Sequence, residues 1–248
     1  MRALKKIGLL VIRFSVLIYL SLYCIVHLRL RNLRCLVQNI KNSKSQIFQD
    51  LMIIATSNNL ERLHNFYFVE FGATNGISLS NTYMFEKVFH ANGIVAEPAR
   101  IWQSDLRSNR RCEISNECVW ESSGKYLEFV EASNPDLSGL TGYENSNHEP
   151  SDSRKYQVKT ISLLDLLQVN EAPKRIDFLS IDTEGSEFEI LKSFDFQKYQ
   201  FLTIVCEHNY GKNRASIKNL LESKGYKRRH KIVSFFDDWY FLEATHFE

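Results

Sequence analysis

Glu70, Glu97, Asp182 and Glu207 each close a short apolar run, and that repeated placement is where chemistry can gather. Glu70 belongs to Phe66-Tyr67-Phe68-Val69-Glu70-Phe71-Gly72-Ala73-Thr74-Asn75-Gly76, a run of aromatic and β-branched residues that breaks into a glycine-bracketed turn. Gly72 lets the chain leave the run sharply, and Gly76 is read as letting backbone lie against a ligand with no Cβ in the way. The next apolar run, Gly93-Ile94-Val95-Ala96, ends at Glu97-Pro98. That is about 20 residues past the turn, where an acid accepts hydrogen bonds from ribose hydroxyls. A dinucleotide site would read G-x-G-x-x-G. Here Ala73 and Thr74 stand where close phosphate contact wants glycine, in the pattern Glu70-x-Gly72-x-x-x-Gly76. An adenosine ligand without phosphates fits better, and S-adenosylmethionine is the common one. The plainer alternative is an ordinary βα turn with a chance acid downstream.

The elements that must hold these residues alternate along the chain. Helical patterns at 46–58, 79–89, 188–194 and 215–224, and one after 97 reaching about Leu106, alternate with apolar runs at 66–71, 94–97, 118–121, 176–181 and 202–206. Residues 161–169 read as a further helix. Residues 226–235 and 239–244, split by Asp237-Asp238, read as a closing antiparallel hairpin. Alternating β and α implies a mainly parallel sheet wrapped on both faces, with ligands at the carboxyl ends of its strands. Between 122 and 157 the pattern dissolves into Ser, Asn, Gly, Pro and Asp, including a polar tract at 144–150. A structureless insert of that length is a lid or a disordered loop; here it is expected to cover the cofactor or shape the acceptor pocket.

All four acids should therefore face one crevice. Glu97 is assigned to the ribose and Glu70 to the methionine or ribose end, while Pro98 stops its strand. Methyl transfer needs the acceptor aligned with the methyl group. A sugar-type hydroxyl also needs a base or a metal to take its proton. Asp182 and His208 are the candidates for that work, and Glu184 and Glu187, at the start of the next helix, orient the pair or cap its N-terminus. Plainer readings make His208 a partner of its own loop and Glu187 only a favourable charge on the helix dipole. Asp182, Glu184, Glu207 and His208 together also offer an oxygen-rich set of the kind that holds Mg²⁺ or Mn²⁺.

Several of these segments resemble the FkbM family of methyltransferases. The resemblance rests on Ser45-Gln46-Ile47-Phe48-Gln49-Asp50, on Phe68 through Gly76, on Ala96-Glu97-Pro98 and, most specifically, on Asp177-Phe178-Leu179-Ser180-Ile181-Asp182-Thr183-Glu184-Gly185-Ser186-Glu187. It covers most of the chain from about Ser45 to Leu242. The resemblance implies a Rossmann-like class I methyltransferase: an α/β fold with a mainly parallel seven-stranded sheet, helices on both faces and a C-terminal antiparallel hairpin. It also implies S-adenosylmethionine as donor and oxygen acceptors, often on sugars or glycolipid-like molecules. Gln46, Gln49 and Asp50 match the family's opening motif and are expected to close over the cofactor; Asn81 and Thr82, at the mouth of the glycine turn, are expected to touch it. A nicotinamide enzyme on a related sheet, or a binding or scaffolding protein that kept the fold, are the competing classes.

Composition bounds the rest. The 248 residues are 44% hydrophobic, enough for one sizeable core. A net charge of +2, with no basic stripe interleaved with aromatics, gives no sign of a nucleic-acid partner. Five cysteines without C-x-x-C spacing, and the lack of any Asn-x-Ser/Thr sequon, favour reduced thiols away from a glycosylating lumen. Residues 7–28 are almost wholly apolar, approaching the length that crosses a ~30 Å hydrocarbon layer. Arg13 interrupts them near the start, from where it would snorkel towards the headgroups. The expected organisation is a single-pass or deeply interfacial membrane anchor at 1–28, a basic linker at 29–43 and the methyltransferase-like domain at 44–248; the plainer alternative is an N-terminal helix that packs on the domain or on a partner. Basic residues on both flanks leave orientation open by charge, and donor supply favours a cytosolic domain.

Overall fold

A computed structural model describes residues 2–143 and 153–243; the polar tract at 144–150 and the end of the expected hairpin at Ala244 lie outside the described residues. Three helices lead the chain: α1 (Arg2–Val26), α2 (Leu30–Asn39) and α3 (Gln49–Thr56). Then come β1 (Tyr67–Phe71), α4 (Tyr83–Phe89), β2 (Asn92–Ala96), α5 (Gln103–Asn109) and β3 (Glu113–Ser115). The middle holds β4 (Cys118–Trp120), β5 (Tyr126–Glu131), β6 (Gly139–Leu140) and β7 (Arg154–Ser162). The last part runs α6 (Leu163–Val169), β8 (Arg175–Ile181), α7 (Glu187–Ser193), β9 (Gln200–Glu207), α8 (Arg214–Ser223), β10 (Tyr226–Arg229) and β11 (Asp237–Leu242).

Seven strands form the main sheet in the order β10-β11-β9-β8-β1-β2-β3. All neighbours are parallel except those of β11, which runs against both β9 and β10. This is the expected Rossmann-like arrangement with a closing antiparallel hairpin, except that the first hairpin strand ends at Arg229 and Asp237-Asp238, read as the split, open the second and pair with Glu207 and Cys206 of β9. Alternation of side chains along each strand sends Phe68, Phe178, Val205 and Trp239 into one buried layer. Their neighbours Val69, Leu179, Ile204 and Tyr240 enter the layer on the other face. Burial on both faces is why these strands read as continuous apolar runs. In register, Phe71 pairs with both Ala96 and Ile181, and Asp237 pairs with Glu207. The turns after β1, β2, β8 and β9 therefore open on one edge.

Three expectations are corrected. Residues 118–121 are not the third strand of the main sheet: that place belongs to β3, while β4 pairs with β7 in a second sheet ordered β4-β7-β5-β6. Residues 122–157 are not structureless, for they supply β5, β6 and the start of β7. The polar side of β5 hid it, because Phe129 and Val130 are buried while Tyr126 and Glu128 face outward. Phe129, Leu140, Val158 and Trp120 form a small core of their own beneath this sheet. The helix expected from 161 begins at Leu163, where the Ser162 hydroxyl accepts from the Asp165 amide as its cap.

The N-terminal segment packs on the domain. The stretch read as a basic linker contains α2, whose Asn32, Leu36 and Asn39 are buried. Arg29 and Asn32 satisfy carbonyls at the end of α3, donating to Thr56 O, Ser57 O and Ile54 O. Helix α1 docks through the fully buried Val16, Leu20 and Cys24. Arg13 turns towards the domain, donating to Ser45 O at 2.9 Å with its guanidinium 4.1 Å from the Phe48 ring. All five cysteines are free.

Candidate functional site

The turn after β1 is clamped from two sides. Gly72 N donates to Ala96 O, and Gly72 has φ +73°. A Cβ there would lie 2.0 Å from the Asp182 carbonyl oxygen. Glycine is thus required by close backbone approach as well as by its left-handed conformation. Gly72→Ala is expected to lower stability by at least about 2 kcal/mol, read as a shift in denaturant midpoint without a change in slope. At Gly76 (φ +79°) a Cβ would meet Arg110 Cγ at 2.6 Å and Leu106 Cδ1 at 2.8 Å, so its bare backbone makes room for the packing of both side chains.

Arg110 organises the rest of that loop from beneath, with its side chain fully buried. It donates to Glu86 Oε2 at 2.7 Å, to Thr82 Oγ1 at 2.9 Å and, more weakly, to Glu70 Oε2 at 3.4 Å. Glu70 also accepts from the Ser80 and Thr82 hydroxyls and from Asn81 N. Both its oxygens, like the Thr82 hydroxyl, thus help to build the loop 80–82, and Glu70 also lines the crevice above it. Asn75 folds its own turn, accepting from Ile77 N and Ser78 N, and Ala73 is buried.

Glu97 is placed as expected. Its two oxygens accept from Thr74 N at 2.9 Å and Ala99 N at 2.8 Å, which leaves further lone pairs towards the crevice. Burial pushes its carboxyl up to about 7; those two amides oppose the shift, and the nearby Asp182 and Asp136 charges add to it. Two small cavities, about 40 and 60 Å³, meet here and share Gly72, Glu97, Ser138 and Asp182 as walls. The first is lined by Ala96, Pro98, Val119, Phe129 and Leu140, an apolar slot. The second is polar, with Thr74, Asn81, Ser180 and Glu184. Asn81 donates to Ser180 Oγ, while its buried Oδ1 has no hydrogen-bond partner among the described residues. The segment Pro135–Leu140 of the insert walls both cavities, which no motif had flagged.

Asp182 and Glu207 bring carboxyl oxygens within 4.8 Å of each other, so the two titrate as a pair. Burial pushes Asp182 up to about 6, and Glu207 is raised well above the carboxylate range by burial and by the Asp182 charge. Asp182 lines the crevice; Glu207 lines a larger pocket of about 400 Å³ with Tyr143, Asn209, Lys212 and Arg214. Glu184 joins the pair, its carboxylate oxygen within 4.8 Å of theirs, in a group that has the reach to hold a metal ion. Glu187 holds the intervening turn by accepting from Thr183 N, Thr183 Oγ1 and Gly185 N.

His208 is not brought to this group. Its Nδ1 accepts from Tyr210 N, and Nε2 lies 3.7 Å from Asp238, itself held by Arg214 and Arg228. Burial lowers its pKa despite Asp238, which leaves it neutral and its one lone pair occupied. Gln46 and Asp50 also stand apart from both cavities. Asp50 is fully buried and accepts from Ser43 Oγ and Leu51 N. Gln49, expected beside them to close over the cofactor, reaches the sheet and donates to Asp237 Oδ2 at 2.6 Å.

A family model described as the Methyltransferase FkbM domain matches residues 70–228. No curated protein matches the chain. Among solved structures, precorrin-6y C5,15-methyltransferase from Geobacter metallireducens GS-15 aligns over 75% of this chain and 89% of that chain, at 12% identity and a TM-score of 0.38. That likeness is too distant to support an argument.

Proposed function

The chain belongs to the FkbM methyltransferase family, and from that premise we propose that it methylates a hydroxyl oxygen of a sugar or glycolipid-type acceptor, with S-adenosylmethionine as donor. The observation that carries this reading is the position of the Asp182–Glu207 pair, one carboxyl on the crevice and the other on the larger polar pocket. Bound S-adenosylmethionine supplies an electrophilic methyl group on a sulfonium centre. The residues fit that donor. Glu97 offers free lone pairs to ribose hydroxyls, the slot at Val119, Phe129 and Leu140 suits an adenine, and the orphaned Asn81 Oδ1 suits an ammonium group. Cavities of this size do not admit a nucleoside, so Pro135–Leu140 must withdraw for the ligand to enter. Asp182 and Glu207 take the proton from the acceptor hydroxyl. Asn209, Lys212 and Arg214 hold the acceptor in line. Asp182, Glu184 and Glu207 would equally hold Mg²⁺ or Mn²⁺, and a chelator arm in the activity assay separates the two arrangements. The chain acts at a membrane, with its catalytic domain on the cytosolic face beside the donor supply.

The test is calorimetric titration of S-adenosylmethionine into the full chain. Glu97→Ala is expected to weaken binding by about 1.5–3 kcal/mol, the worth of hydrogen bonds to an ionised group. Binding to the wild type should tighten as pH rises through about 7, because the ionised Glu97 is the better acceptor and its protonation competes with the ligand. Glu97→Gln should lose that pH dependence. A folded wild type that binds no S-adenosylmethionine would favour the non-catalytic scaffold.

A further inference from the structure

Helix α1 is apolar on every side, yet only one side is covered. Val16, Leu20 and Cys24 are fully buried against the domain, while Ile7, Phe14, Ile18, Leu22 and Ile25 recur at helical spacing on the opposite face and are exposed, Phe14 at 65%. Leu28, Leu30 and Val37 extend this uncovered surface across the turn and onto α2. Such a patch on a helix with no polar face needs a cover.

We propose that α1 lies flat in the surface of an anionic membrane, keeping its inner face docked on the domain, and does not cross the bilayer. The inner face argues against crossing. A spanning α1 would have to leave the domain, uncovering Val16, Leu20 and Cys24 together with their partners on α2 and α3. It would also break the Arg13 contact to Ser45 O and the Tyr19 hydroxyl contact to His230 Nδ1, 3.0 Å. Arg13 would then enter hydrocarbon without a partner.

Charge identifies the occupant. Nine Lys and Arg, and no Asp or Glu, precede Asp50, so all 29 acidic residues lie in the remainder of the chain. Arg31, Arg34 and Lys41 are exposed beside the apolar face. A second copy docking on this face would set two such basic segments against each other. An anionic lipid surface attracts the basic segment and repels the acidic remainder, which fixes the face that meets the membrane. The bond from Arg13 to Ser45 also ties α1 to the crevice, since Ser45 bridges to Leu79, one of its lining residues.

The full chain, tagged at both ends, tests this. Flotation is expected with phosphatidylcholine vesicles containing phosphatidylserine, falling at high salt and falling at least about tenfold in a Phe14→Glu/Leu22→Glu double variant with unchanged melting. In sealed membranes from expressing cells, external protease should treat the two tags alike. Opposite fates for the tags would establish a spanning helix and overturn the proposal. Equal flotation on phosphatidylcholine alone, or flotation untouched by the double variant, would also overturn it. So would failure to float with a dimer in sedimentation, because a second copy would then cover the face.

Discussion

Asp182→Asn is expected to lower methyl transfer by about 10²–10⁴-fold, the usual worth of a positioned general base, while changing S-adenosylmethionine affinity by no more than a few-fold. Asparagine keeps the shape at the end of β8 and can still bond to Glu207, but it accepts no proton. Glu207→Gln removes the same function from the other side of the pair. The double variant should be scarcely worse than either single one, since the two carboxyls act as a unit. In the wild type the pair must lose a proton to act, so activity is lost as pH falls through about 6, where Asp182 titrates. Single-turnover rates at saturating donor, measured across pH for wild type and variants, check all three statements. An Asp182→Asn enzyme retaining half its rate would remove the pair from the chemistry and leave positioning or a metal ion to account for it.

Arg110→Met should cost about 3–5 kcal/mol of stability, the effect of stranding buried charges, against a total that is commonly only 5–15 kcal/mol. Methionine fills much of the volume, so the loss comes from Glu70 and Glu86 left beneath the loop without their cation. Burial alone would raise the Glu86 carboxyl; the Arg110 charge, helped by Lys87, holds it at about 2. In the variant that carboxyl should titrate well above its present value, and chemical denaturation should show a large fall in midpoint. Arg110→Lys should rescue little, because one ammonium cannot reach Glu86, Glu70 and Thr82 in the fork that the guanidinium makes. Where the variant still folds, loss of order at 80–82 should reach Asn81 and weaken cofactor binding. Equal stability of wild type and Arg110→Met would show that the loop is held by its backbone alone.

The strand sequence and its order-dependent chemistry were legible because both depend on local pattern. The buried central strands read as apolar runs, and an acid at the end of each must face the carboxyl edge of a parallel sheet. That logic puts Glu97 and Asp182 on the crevice, whose walls they form in the folded chain. The acid Glu70 and the glycine Gly76 show where the same logic stops. Their types and spacing suit a ligand and Glu70 does line the crevice, but their partners Arg110, Ser80, Thr82 and Leu106 are residues that only the folded chain brings together. The second sheet was hidden for a related reason. Its strands are short and half exposed, so their alternation is weak and their charged positions look like loop.

By itself, then, the sequence determined the parallel α/β sheet, the edge on which its acids gather and the apolar character of α1, all properties of neighbours in the chain. Which acids are consumed in building the loop, the pairing of Asp182 with Glu207, the diversion of His208 to Asp238 and the half-buried docking of α1 were decided only by tertiary structure. Each depends on which distant group satisfies a buried polar atom or covers an apolar face, and no local pattern encodes that.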